Sequence, residues 1–125
     1  MRKQTLALIG ALIITTSCTG DILNGGDGSG GDFAISVSGG TQPTYSWTAG
    51  PAFEVSVARA ADQTVVVWRV ADVVNRNIRS PVRQGVVPQG ATETAASERI
   101  LTAGVTYRVS IRLADGSSAF QEFRP

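Results

Sequence analysis

The chain has no histidine and a single cysteine among its 125 residues. Without histidine it lacks the commonest general base and metal-binding side chain, and so the usual Ser-His-Asp triads and most zinc sites. A lone cysteine has no partner for an internal disulfide, so the fold must be held by its apolar core. Lysine occurs once, at Lys3, and every other cation is arginine. No stretch reaches the roughly 18 consecutive apolar residues of a permanent membrane-spanning helix. No glycine-rich phosphate loop leads into Lys-Ser or Lys-Thr. The ten acids are scattered. Glu54, Asp62, Asp72, Asp115 and Glu122 stand at strand or turn positions typical of solvated faces, not in the close pairs that acid–base catalysis uses. These absences point to a non-catalytic protein that needs no cofactor or metal, with a small hydrolase as the remote alternative.

What is present begins at the amino terminus. Arg2 and Lys3 precede the apolar run Leu6–Ile14, and Thr16, Ser17 and Cys18 follow. A positive start, an apolar stretch of about 7–15 residues and small residues at the cut make a secretory signal. Thr15-Thr16-Ser17-Cys18 resembles the lipobox of bacterial lipoproteins, in which an aliphatic residue and two small ones precede cysteine; Thr15 departs from that pattern. The resemblance implies a signal peptide at 1–17, cleavage before Cys18, and a diacylglyceryl thioether on Cys18, often with an added N-acyl chain. Each buried methylene contributes about 0.8 kcal/mol, so two or more chains anchor stably. Thr19, where aspartate would retain a lipoprotein at the inner membrane, resembles the outer-membrane pattern. The expected location is the bacterial cell envelope, lipid-anchored and periplasmic or surface-facing. The alternative is an ordinary cleaved signal with an incidental cysteine. Loss of the leader leaves nine arginines against ten acids, a formal charge of −1. That balance argues against nucleic acid as a partner.

Residues 18–32 read as a linker: six of the fourteen residues after Cys18 are glycine and three are aspartate. Such a coil reaches about 20 Å on average. Asp21, Asp27 and Asp32 do not follow the alternating ligand spacing of a calcium loop. From Phe33 the pattern turns β. Phe33, Ile35 and Val37, then Tyr45 and Trp47, then Phe53, Val55 and Val57, then Tyr107, Val109, Ile111 and Leu113 alternate with smaller or polar residues. A period of two places each set on one face of a half-buried strand. Thr64–Val70 is a more continuous apolar run, predicting a strand covered on both faces. Gly39-Gly40, Ala49-Gly50-Pro51 and Ala61-Asp62-Gln63 supply turns, and Asp115-Gly116 marks a hairpin. Ser80–Gly90 carries two prolines and reads as a loop or ragged edge strand, while no segment reads as a convincing helix: Thr92–Leu101 could form one or two turns, but its apolar face is thin. The fold class is all-β: one antiparallel β-sandwich of about seven strands over residues 33–125.

Two stretches resemble the fibronectin type III domain, within the immunoglobulin-like sandwiches. Pro43-Thr44-Tyr45-Ser46-Trp47 is similar to its second strand, where proline precedes a core tryptophan. Leu101, Gly104 and Tyr107, three apart and leading into an apolar strand, are similar to its tyrosine corner, with Ala103 where the family usually has proline. The resemblance implies a buried tyrosine whose hydroxyl bonds back to nearby backbone, and Trp47 in the core. Three features are candidates for binding. Arg76, Arg79 and Arg83, with Asn75 and Asn77, form a cationic stretch able to hold carboxylate or phosphate groups; its bland reading is a solvated loop. Trp68 is either core or a sugar-stacking platform. Arg108 and Arg112 belong to an outward face, with Glu122 in reach across the strand pair. The expected role is a membrane-anchored binding or scaffolding module for an envelope protein; a carbohydrate-binding module using Trp68 is the alternative.

Overall fold

The structure, a computed structural model, describes residues 28–125. The signal peptide expected at 1–17, Cys18 and residues 19–27 of the expected linker lie outside the described residues. Nine strands are present among the described residues, and no helix: β1 (Ser29–Gly31), β2 (Ser36–Val37), β3 (Thr44–Ser46), β4 (Ala52–Arg59), β5 (Asp62–Ala71), β6 (Val82–Arg83), β7 (Thr92–Ala95), β8 (Tyr107–Leu113) and β9 (Ser118–Phe123). They form two antiparallel sheets, one of six strands in the order β1-β9-β8-β4-β5-β7 and one of three in the order β2-β3-β6. The chain is an all-β sandwich.

Alternation builds the core directly. On β8, Tyr107, Val109, Ile111 and Leu113 are buried while Ser110 and Arg112 face water. On β4, a register shift between Ala52 and Glu54 adds one residue, so that Ala52 and Val55 both turn inward although three apart. These side chains, with Trp68 and Val70 of β5, pack in one cluster with Ile35, Tyr45, Trp47 and Val82 from the smaller sheet and its flanks. Each fully buried valine, leucine or isoleucine contributes about 1.5–3 kcal/mol. Phe123 links the layers: its ring lies 5.7 Å from Tyr45 at 62° and 6.0 Å from Tyr107 at 28°, contacts that add about 0.5–1.5 kcal/mol each beyond area burial.

The sequence pattern and the structure part at three places. The sheet begins before Phe33: Ser29, Gly30 and Gly31 pair with Gln121, Phe120 and Ala119 of β9. Thr92–Ala95, which the pattern does not read as a strand, pairs as β7 with β5; its two threonines are β-branched and favour strand. On β5, Asp62–Val65 is exposed and only the second half is core, because register shifts with β4 fall between Val57 and Arg59. Elsewhere the reading holds: Ser80–Gly90 contains only the two-residue β6, an edge strand that joins β3.

Beyond β6 the chain is fastened by a polar relay that runs from the core to the surface. The Tyr45 hydroxyl donates to Gln84 Oε1 (2.8 Å), and Gln84 Nε2 donates to the Glu98 carbonyl (2.9 Å). Gln84 is fully buried. Thr102 N–H donates to the Tyr107 hydroxyl (2.9 Å), which donates to Glu98 Oε1 (2.7 Å), while Arg59 Nη2 contacts Glu98 Oε2 at 2.6 Å. Burial pushes the Glu98 pKa up, but the hydrogen bonds from Tyr107 and Arg59 outweigh it and hold the carboxyl below its usual range.

Candidate binding surface

Strand direction gives the sandwich two distinct poles. The Gly28 carbonyl accepts from Glu122 N–H at 2.7 Å, so the chain joins the amino-terminal segment beside the carboxy-terminal end of β9. Tyr107 and Arg59 pair at this same end, and the β4–β5 turn lies here too. Ala52 and Leu113 pair at the other end, where Ile78 bridges to Ala52 and Ala114 N–H donates to the Pro51 carbonyl at 3.1 Å. The loops at 48–51, 72–81 and 114–117 therefore gather at the pole opposite Gly28.

The 72–81 loop is shaped by Asp72, a buried residue just after β5. Its Oδ1 accepts from Asn75 N–H (2.9 Å) and its Oδ2 from Asn77 N–H (3.2 Å), while its carbonyl accepts from Arg76 N–H (3.0 Å). The Asn75 bond leads the contributions that hold the carboxyl below its usual range, against the upward push of burial. Aspartate side chains close turns in this manner. The turn pushes Val73 and Val74 into solvent, 67% and 83% exposed. Arg76 adopts a left-handed φ of 51°, and its guanidinium lies 5.2 Å from the Phe53 ring centroid. Beside the loop is an open cleft of about 620 Å³, bordered by Asp72, with Asn75, Asn77, Arg79 and Gln89 as its further polar lining and Pro81 and Pro88 as apolar walls. Among the described residues, none of these four polar side chains has a hydrogen-bond partner.

The three arginines expected to act together occupy separate settings. Arg79 lines the cleft and also borders the depression beside Trp47, Gly50 and Pro51. Arg76 flanks the loop on Phe53. Arg83 lies on β6 opposite Thr44 in the smaller sheet, its Nη2 3.4 Å from Gln42 Oε1. What they share is the lack of a counter-ion: among the described residues no carboxylate lies within 4 Å of any of them, whereas Arg59, Arg69, Arg99, Arg108 and Arg112 all have one.

Trp68 is not a sugar platform. It is fully buried, and its indole N–H donates to Glu93 Oε2 at 2.7 Å. Stacking a sugar ring requires an open aromatic face, so the carbohydrate-binding alternative loses the residue that carried it. Trp47 is also buried, with its indole N–H donating to the Gly50 carbonyl at 2.7 Å.

The outer face of the larger sheet is polar and internally matched. Arg108 stands opposite Glu122 and contacts it at 2.8 Å, its guanidinium 3.9 Å from the Phe120 ring centroid. Glu54 sits between Arg69 (3.6 Å) and Arg112 (3.8 Å). Pattern reading missed the turn-forming role of Asp72, although an aspartate followed by Asn75 and Asn77 is a composition suited to a side-chain-closed turn. No protein family, curated protein or solved structure matches the chain.

Proposed function

We propose that this protein is a lipid-anchored lipoprotein of the bacterial cell envelope, in the outer membrane where the host has two, and that its β-sandwich is a non-catalytic binding or scaffolding module. The observation that carries this reading is the opposition of the two poles. The chain coming from Cys18 enters the sheet at one end through Gly28, and the loops with unmatched cations and exposed valines stand at the other. A domain held by lipid at its amino terminus would turn that loop pole away from the bilayer. The proposal of a fibronectin III-like domain is supported by the Thr102 N–H to Tyr107 hydroxyl bond at 2.9 Å and by Trp47 in the core.

The test is the intact mass of the protein isolated from its host membrane, compared with a Cys18→Ser variant. A mass equal to residues 18–125 plus acyl groups, absent in the variant, is the expected result. An unacylated mature mass would replace the anchored module with a freely exported domain.

A further inference from the structure

We infer that the loop pole, formed by Val73, Val74, Arg76 and the Arg79 cleft, is a docking surface for an acidic envelope protein that offers aspartate or glutamate beside apolar side chains. The inference rests on the anchored-module reading and gives that module a face and a class of partner. Three independent observations lead to it.

The first is charge. Arg76 and Arg79 have no carboxylate within 4 Å among the described residues, and the one acid of the loop, Asp72, is turned to backbone N–H groups of Asn75 and Asn77. These two guanidinium groups therefore carry charge that no carboxylate of the described residues pairs within 4 Å, with Asp115 of the 114–117 loop as a further acid of the pole. Guanidinium forks pair bidentately with carboxylates, and complementary charge steers association and fixes register.

The second is apolar exposure. Val73 and Val74 are adjacent and 67% and 83% exposed. Isolated exposed apolar residues need no explanation, but these two sit on a loop tip whose shape is enforced by a buried carboxylate. Branched aliphatic side chains fit an apolar recess on a protein. They offer no flat π-face for a sugar ring, and this separates a protein partner from a glycan.

The third is unspent hydrogen-bonding capacity. The amides of Asn75, Asn77 and Gln89 line one cleft with Arg79, between Pro81 and Pro88, and are without partners among the described residues. A partner's backbone carbonyls and N–H groups match amides that both donate and accept. Apolar anchors inside a polar rim are the usual anatomy of a protein–protein contact.

The experiment places a photo-reactive benzoylphenylalanine at Val74 of the full-length lipoprotein in its host membrane, with the same probe at exposed Ala61, in the β4–β5 turn of the Gly28 pole, as control. The expected result is a protein adduct at Val74 and none at Ala61. Peptide mapping should place the attachment within a segment containing aspartate or glutamate. The double change Arg76→Glu with Arg79→Glu should lower the adduct yield at least fivefold while leaving the thermal midpoint of the domain within a few degrees. A Val74 adduct with lipid or glycan alone, no adduct at Val74, equal yields at both positions, or a yield unchanged by charge reversal would each overturn the docking surface. Intact mass from the same membranes keeps the two proposals apart. An acylated protein without a Val74 protein adduct removes only the docking surface, whereas an unacylated one removes the anchor itself.

Discussion

Buried Gln84 is the residue on which the irregular half of the domain turns. It joins Tyr45 of the smaller sheet to the backbone at Glu98, and from Glu98 the relay continues to Tyr107 and Arg59. Removing one member of a buried pair leaves the other unsatisfied, at a cost of about 1–3 kcal/mol, whereas replacing both with apolar groups is nearly neutral. Gln84→Leu should therefore lower unfolding stability by about 1–3 kcal/mol, and Tyr45→Phe in the same chain should recover part of that loss. Urea unfolding of the two single variants and the double variant checks this; strictly additive losses would mean the bond is not a coupled unit. Periodicity cannot see such a residue, because a glutamine in a proline-bearing stretch reads as solvated loop. It succeeds with Trp47, whose neighbours alternate cleanly. It leaves Trp68 ambiguous because Val67 and Trp68 are both buried though adjacent, the result of a register shift near Val57 and Ala58 that no two-residue period encodes.

Among the elements, β1 departs furthest from its sequence reading. Its glycines look like coil, yet they are fitted to the edge of β9. A β-carbon on Gly31, whose φ is +108°, would fall 2.4 Å from Ala119 Cα and from the Ser118 carbonyl oxygen, and one on Gly30 would fall 2.9 Å from the Phe120 ring. Gly31→Ala should therefore release β1 without unfolding the sandwich, since the core cluster draws nothing from Ser29–Gly31. Amide exchange at Glu122, which donates to Gly28, and at Asp32, which donates to Ser118, should accelerate about tenfold, equivalent to ~1.4 kcal/mol of opening free energy. Exchange at Val109, in the middle of the sheet, should not change. Protection at Glu122 equal to that of the parent chain would mean that β1 tolerates the side chain. Release would also uncover the β9 edge, whose free backbone groups would be open to pairing. The alternating strands β4 and β8 were legible from pattern alone, and β9 from the Asp115-Gly116 hairpin signal before it. Of the short strands, β2 and β3 fall inside the alternating runs Phe33–Val37 and Thr44–Trp47, whereas β1 and β6 carry no period and their pairing is set by tertiary neighbours.

The whole molecule is stabilised by carboxylates that are ionised in the folded state, and this fixes its response to pH. Asp62, Asp72, Glu93, Glu98 and Asp115 all have pKa values held below their ordinary range. The leading downward contributions are Thr64 on Asp62, Asn75 N–H on Asp72, Arg99 on Glu93, Tyr107 on Glu98 and Ser117 on Asp115; for Glu98 the opposing effect of burial is larger than any single hydrogen bond. A carboxyl with a lowered folded-state pKa contributes its full stabilisation above the unfolded value of about 4, and loses it as pH falls through the folded value. The acid limb should therefore begin near pH 4 and steepen below it, because the unfolded chain there binds more protons than the folded one. Tyr45 sets the alkaline limb. Burial first, and then Tyr107, push its pKa far above the usual tyrosine value, so stability should fall once pH passes the ~10 at which an exposed tyrosine ionises. With no histidine in the chain and its one cysteine outside residues 28–125, no side chain of the described domain has an ordinary pKa between these limits, and stability should be nearly flat from about pH 5 to 9. Urea midpoints measured at pH 3, 5, 7, 9 and 11 test the profile, and Glu98→Gln should flatten its acid side. A maximum below pH 4 would contradict the ion pairs and capped turns that hold the folded carboxylates ionised. A docking partner that supplies carboxylates to Arg76 and Arg79 would lose affinity over the same acid range, so salt is the variable that separates surface from scaffold: at pH 7, where the domain is folded, binding should weaken as ionic strength rises while the urea midpoint holds.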